Sequence, residues 1–254
     1  LRYGAICHCR AYGFAVLEDA SHAVGGRYEG QPVGNCRYSA ITVFSFHPVK
    51  IITTGEGGLA TTNDPVLAQR MADLRSHGIV REPERFEQPA AGPWVYEQQQ
   101  LGFNYRITDI QAALGLSQLQ RLNEIVAERN RQLLSYQEML VDLPVQLLKV
   151  PDDVLSSVHL AVIRLQHATA EQHRQVFEGL RVAKIGVQLH YSPVHLQPYY
   201  RALGFAEGQF PEAEAYGCSA ISLPLFPGLT SVEQLRIVAE FEEQLQAFAP
   251  ELAR

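Results

Sequence analysis

The sequence predicts an α/β protein in two parts, and three observations carry that prediction. Short runs of β-formers, Phe14–Leu17 and Ala40–Phe46, each lead into a turn rich in glycine. A long stretch from Thr108 to about Leu140 keeps Ile110, Leu114, Ile125 and Val126 at helical spacing. Beyond Pro144 shorter strand and helix patterns alternate, as in a smaller α/β region that follows a bridging helix. The two parts are assigned to residues 1–125 and 126–254.

Composition narrows the function. A chain of 254 residues with 46% hydrophobic and 19% charged content can bury one large core or two smaller ones. Its net charge of −6 lacks the basic footprint of a nucleic-acid binder, so no nucleic acid is expected. No apolar run approaches a membrane span and no signal peptide is visible, so no membrane is expected either. Cys7-His8-Cys9 has the form of half a zinc site, but no second pair follows at usable spacing, and no metal is assigned. The cysteines read as reduced thiols of a cytoplasmic protein. The chain opens on Leu1 and soon reaches a central-strand pattern, so an N-terminal portion is expected to precede it.

Taken in order, Phe14–Leu17 reads as a parallel strand buried on both faces. It ends at Asp19, where ligands bind in open α/β sheets, although a loop or helix-capping aspartate is an equal reading of that residue alone. Tyr28–Val33 reads as a hairpin around Glu29-Gly30. Asp64 and Pro65 start a helix that stops at Gly78. Residues 82–100, with three prolines and the only tryptophan, form a long irregular loop. Strands follow over His159–Leu165 and Val187–Tyr191, and helices over 170–180, 211–218 and 231–247.

The stretch Phe44–Gly58 holds the chemistry. Lys50 stands between Val49 and Ile51-Ile52, and an amine short of water has a lowered pKa and can add to a carbonyl. Ser45 ends the preceding strand, where a hydroxyl meets a phosphate. A solvated lysine on a glycine-rich loop is the plainer reading of these residues taken alone. Asp19, Ser45 and Lys50 together, at strand ends of one sheet, are the parts a pyridoxal-phosphate enzyme needs.

Glu18-Asp19-Ala20-Ser21-His22-Ala23, Phe44–Lys50 with Thr54-Gly55-Glu56-Gly57-Gly58, and Gly102-Phe103-Asn104-Tyr105-Arg106 with Asp109–Ala113 resemble the DegT/StrS-type nucleotide-sugar aminotransferases. The resemblance runs from about Tyr12 to Phe248. It implies fold type I of the pyridoxal-phosphate enzymes: a partial large domain with a mixed sheet over 1–125 and a smaller C-terminal domain over 126–254. It also implies pyridoxal 5'-phosphate as cofactor and a homodimer with shared active sites. Lys50 would hold the cofactor and Asp19 would pair with the pyridine nitrogen. His22 would stand beside the phenolic oxygen, Ser45 would bind the phosphate, and Asn104 would reach the phosphate of the partner subunit's cofactor. Residues 188–200 and Ile221–Leu225 resemble the pseudaminic-acid branch, whose members pass an amino group from L-glutamate to a 4-keto-6-deoxy UDP-N-acetylhexosamine. Another keto-sugar aminotransferase, or a truncated non-catalytic member, is the alternative. The family carries over a hundred further residues upstream, including a phosphate-binding turn and an aromatic residue that stacks on the cofactor.

Tyr105, Arg106, His190, Tyr191 and His195 are the candidates for substrate contact. Arg106 reads equally as an anion binder or as a partner of Asp109. His190 and His195, five apart on a strand-to-loop stretch, suit substrate contact or plain packing rather than a metal.

Overall fold

A computed structural model describes residues 11–250. They form two compact units, one from the chain up to Asn123 with Asp153–Ser157, the other from Glu124–Asp152 and the chain from Val158 onward. Cys7-His8-Cys9 lies outside the described residues.

In the first unit β1 (Leu17–Asp19), β4 (Ile41–Ser45) and β5 (Gly58–Thr61) make a mixed sheet in that order. β1 runs parallel to β4, and β4 antiparallel to β5. Parallel neighbours require a crossover. Here it carries a hairpin of β2 (Arg27–Tyr28) and β3 (Gln31–Pro32). Its turn residues Glu29 and Gly30 have φ of 48° and 73°, the mirror-type turn whose twist suits paired strands. In β4, Thr42 and Phe44 are buried while Val43 is exposed, so alternate side chains face opposite sides of the sheet. Thr42 donates from its hydroxyl to Glu18 Oε2 at 3.1 Å and ties β4 to β1.

The first strand departs from expectation. It begins only at Leu17, Phe14 is exposed, and Leu17 is 68% exposed, because among the described residues β1 pairs with β4 alone. Among the described residues the continuous apolar run is therefore not covered on both faces.

Helix α1 (Pro65–Arg75) starts as expected: Asp64 Oδ1 accepts from the amides of Val66 and Leu67 at 2.7 and 3.3 Å. After it, β6 (Ile79–Val80) pairs antiparallel with β7 (Glu97–Gln98), which closes the long loop at its base. The single helix expected over 108–140 is two, α2 (Asp109–Leu119) and α3 (Leu122–Met139). At the break Arg121 donates to Gln118 at 3.0 Å, a tight i→i+3 bond. The break separates different surroundings. α2 buries no side chain, whereas α3 buries Ile125, Val126 and Tyr136.

The second unit is built on an antiparallel sheet of β8 (Val145–Leu147), β10 (Ala161–Leu165) and β11 (Ala220–Leu223), with β10 central. Between β8 and β10, β9 (Val154–Leu155) belongs to the first unit and pairs with β2. Helices α4 (Ala170–Val182) and α7 (Ser231–Phe248) each start in a capping box, Thr169 with Gln172 and Thr230 with Glu233. Their apolar faces join Tyr136 and the sheet in one core that includes Ile163, Val176, Ile221 and Phe241. Two short helices, α5 (Pro198–Ala202) and α6 (Pro211–Gly217), precede β11. The strand expected over Val187–Tyr191 is reduced to one bridge, Gln188 to Ser222, since the chain leaves the sheet edge before Pro193. Among the described residues no helix is long and apolar enough to cross a membrane.

Phe241 is fully buried in this core, so Phe241→Ala should cost about 3–5 kcal/mol in urea unfolding. Val232 on the same helix is 76% exposed, and Val232→Ala should change stability by less than about 0.5 kcal/mol.

Candidate active site

The parallel register places Asp19 opposite Val43, two residues before the end of β4 at Ser45. Asp19, His22, Ser45 and Lys50 thus gather at the carboxyl ends of β1 and β4. The Asp19 carboxylate accepts from the Ser21 hydroxyl at 2.5 Å and from the Ser21 amide at 3.0 Å. The hydroxyl and then the amide of Ser21 hold its carboxyl below the usual aspartate range, and the nearby charges of His22 and Lys50 act the same way. His22 is exposed, and its backbone carbonyl accepts from the Ser157 hydroxyl at 3.4 Å. Ser45 Oγ accepts from the amide of His47 at 3.4 Å.

Lys50 lies on the segment that joins β4 to β5. Burial lowers its amine below the ordinary lysine value of 10.5, and the Asp19 carboxylate opposes that shift. The segment is closed on itself. Phe46 donates to Gly57 O at 2.9 Å, Thr54 to Phe46 O at 3.0 Å, and Lys50 to His47 O at 3.0 Å. Two glutamines of α2 then grip it. Gln118 accepts from the Thr53 amide at 3.2 Å and donates to the Thr53 carbonyl at 3.1 Å, while Gln111 donates to Glu56 O at 3.1 Å. The sequence reading missed both. Their signal was available, since residues seven apart share a helix face and these two are glutamines on a mostly apolar helix.

The donor set fits pyridoxal phosphate. A desolvated amine suits its aldehyde, a carboxylate held ionised suits its pyridine N–H, and a strand-end hydroxyl suits its phosphate. Among the described residues no cluster of three His, Cys, Asp or Glu side chains could hold a metal ion.

Asn104, Tyr105 and Arg106 occupy a different segment, which pairs with the end of α1 through Ser76 opposite Asn104. Tyr105 stacks on Phe103 at 4.7 Å between ring centroids, and Arg106 is exposed and makes no ion pair with Asp109. His190, Tyr191 and His195 belong to the second unit. His190 Nδ1 lies 2.9 Å from Ser222 Oγ, and Tyr191 is exposed. His195 is buried against Phe210, with Nε2 2.8 Å from Glu214 Oε1. The Gly208 amide and then His195 hold the Glu214 carboxyl below its usual range.

Residues 5–242 match the DegT/DnrJ/EryC1/StrS aminotransferase family. The chain is 36% identical over 234 residues to the uncharacterised protein MJ1066 of Methanocaldococcus jannaschii, covering 90% of this chain and 59% of that protein. Among solved structures it is similar to Spr1654 of Streptococcus pneumoniae, described as a sugar aminotransferase and solved in PLP and PMP forms. The PMP form is 30% identical, with a TM-score of 0.86, over 95% of this chain and 61% of that one. Helicobacter pylori PseC, an aminotransferase involved in pseudoaminic acid biosynthesis, is 30% identical with a TM-score of 0.86, over 97% of this chain and 64% of that one. The chain therefore spans about three fifths of the length of these relatives. The likeness bears out the α/β expectation in the form of fold type I of the pyridoxal-phosphate enzymes. With Asp19, His22, Ser45 and Lys50 gathered at one sheet end and the match running over almost its whole length, this chain belongs to the DegT/DnrJ/EryC1/StrS aminotransferase family.

Proposed function

We propose that this chain carries the cofactor lysine of a pyridoxal-5'-phosphate aminotransferase that moves an amino group from L-glutamate to a nucleotide-linked keto sugar. The observation that carries the reading is Lys50, desolvated and held beside the ionised Asp19 at the ends of β1 and β4. Bound there, the cofactor supplies an electron sink and a temporary carrier for the amino group. Lys50 would hold it covalently, and the free amine, its basicity lowered by burial, would take the proton from the donor's Cα. Asp19 would accept the pyridine N–H and keep the proton on that nitrogen. Ser45 would bind the phosphate, Asn104 would reach the phosphate of the partner subunit's cofactor, and His22 would stand beside the phenolic oxygen.

The finer substrate we infer is a 4-keto-6-deoxy UDP-N-acetylhexosamine, as in pseudaminic-acid-type synthesis. The segment 188–200 and the likeness to PseC support it. Tyr105, Arg106, His190 and Tyr191 are exposed or half-buried and suit substrate contact, while His195 supports that segment from beneath through Glu214. The setting is a cytoplasmic homodimer. Its support is the apolar surface of α2 and the segment before it, where Leu101 is 89%, Ile110 85% and Leu116 63% exposed.

Borohydride reduction of protein loaded with pyridoxal phosphate should leave a mass adduct on Lys50, and Lys50→Ala should remove it. An adduct that persists in the variant would place the cofactor on Lys149 or Lys184, the only other lysines. Asp19→Asn should weaken cofactor binding roughly 10- to 100-fold, the worth of one charge-assisted hydrogen bond (about 1.5–3 kcal/mol), while the melting temperature of the cofactor-free protein stays within about 2 °C. Unchanged affinity would remove Asp19 from the site. In a turnover panel of 4-keto and 3-keto nucleotide sugars with glutamate, the 4-keto-6-deoxy UDP-N-acetylhexosamine should react fastest. Faster turnover of another sugar would displace the finer assignment.

A further inference from the structure

A cavity of about 560 Å3 opens at the C-terminal end of α1 within the first unit. It arises from local backbone geometry. α1 stops at Ser76, and Gly78 takes φ 70°, where an added Cβ would stand 2.0 Å from the carbonyl oxygen of Gln100. That close approach lets residues 103–105 lie against 74–77. Phe103 donates to Leu74 O at 2.7 Å, His77 to Phe103 O at 2.8 Å, and Tyr105 to Arg75 O at 3.0 Å. Arg75, Arg81 and Arg106, far apart in sequence, come to line one cavity.

The charges in its wall are unevenly matched. Asp73 and Glu82 are both taken by Arg85, which donates to Asp73 Oδ1 at 3.1 Å, to Asp73 Oδ2, and to Glu82 Oε2 at 3.2 Å. That pairing holds the Asp73 carboxyl below its usual range. Arg75, Arg81 and Arg106 have no carboxylate at ion-pair distance among the described residues. Arg81 lies over the Tyr96 ring, 5.1 Å from its centroid, at cation–π distance. Three exposed guanidinium groups without carboxylate partners around one cavity form a local positive patch in a chain of net charge −6. Planar guanidinium forks match phosphate oxygens two at a time, and the volume lies within the usual range for small-molecule sites, roughly 300–1,000 Å3.

The geometry points to a diphosphate subsite at Arg75, Arg81 and Arg106 that holds the phosphoryl groups of the nucleotide-linked substrate. This rests on the nucleotide-sugar reading above and names Arg75 and Arg81 as further binding residues. Arg106 anchors the subsite to the segment that carries Asn104, and Arg81 closes it from the loop side.

The test is calorimetric titration of the cofactor-loaded chain at low salt with a nucleoside diphosphate, inorganic diphosphate and inorganic phosphate. The nucleoside diphosphate should bind saturably, and the Arg75→Gln/Arg81→Gln double variant should bind it at least about ten-fold more weakly. Arg70→Gln, the same charge change one turn earlier on α1, should shift binding less than about two-fold. If the double variant does not fold, Arg81→Gln alone should lose at least about three-fold. Unchanged binding in the variants, an equal loss in Arg70→Gln, or inorganic phosphate binding as tightly as the diphosphates would each overturn the assignment. Borohydride trapping on Lys50, read in the same samples, separates the two claims. Intact trapping without diphosphate binding removes this subsite alone, whereas failed trapping in the parent chain removes the aminotransferase reading.

Discussion

The two hydrogen bonds between the Gln118 amide and the Thr53 backbone are the interaction on which the site depends. The segment from Phe46 to Gly57 has no regular secondary structure and carries Lys50, so its shape must come from specific bonds. Gln118 satisfies the Thr53 N–H and C=O together, which no aliphatic side chain at that position does. Buried Ile51 and Ile52 sit just before it and draw the amine of Lys50 away from water. Gln118 therefore holds in shape, from a helix remote in sequence, the segment whose burial lowers the basicity of Lys50.

The strand register is the second constraint. Side chains alternate across β1 and β4, so a one-residue slip would turn Asp19 to the opposite face from Ser45. The half-buried Thr42–Glu18 hydrogen bond opposes that slip, because it holds one residue of each strand in register on the same face. Ser21 then supplies both donors that keep Asp19 ionised, and it does so from the turn that ends β1. Charge and position at Asp19 thus have separate causes, one in the turn and one in the sheet.

Much of this was legible in the chain because its signals are local. The Asp64 cap, the Glu29-Gly30 turn and the helices at 170 and 231 each rest on residues within a few positions of one another. Asp19, Ser45 and Lys50 were legible because strand ends collect ligands in α/β sheets. What stayed hidden depends on distant partners. The break after Leu119 has no glycine or proline to announce it. The apolar run at Phe14–Leu17 did not reveal that its strand pairs on one edge alone among the described residues. Gln118 looked like an ordinary helix residue until Thr53 stood opposite, and the stray residue Gln188 kept only one pairing of an expected strand.

The most direct measurement is the titration of Lys50 itself. The chain has three lysines, so isotope-labelled lysine gives three resonances, assigned by replacing each lysine with arginine. Lys50 should titrate below 10.5 in the parent chain, since burial disfavours its charged form more than Asp19 restores it. In Gln118→Leu, with the Thr53 clamp lost and water admitted, its titration should move back up toward 10.5. A Lys50 that titrates at or above 10.5 in the parent chain, or that is unmoved by Gln118→Leu, would contradict the account.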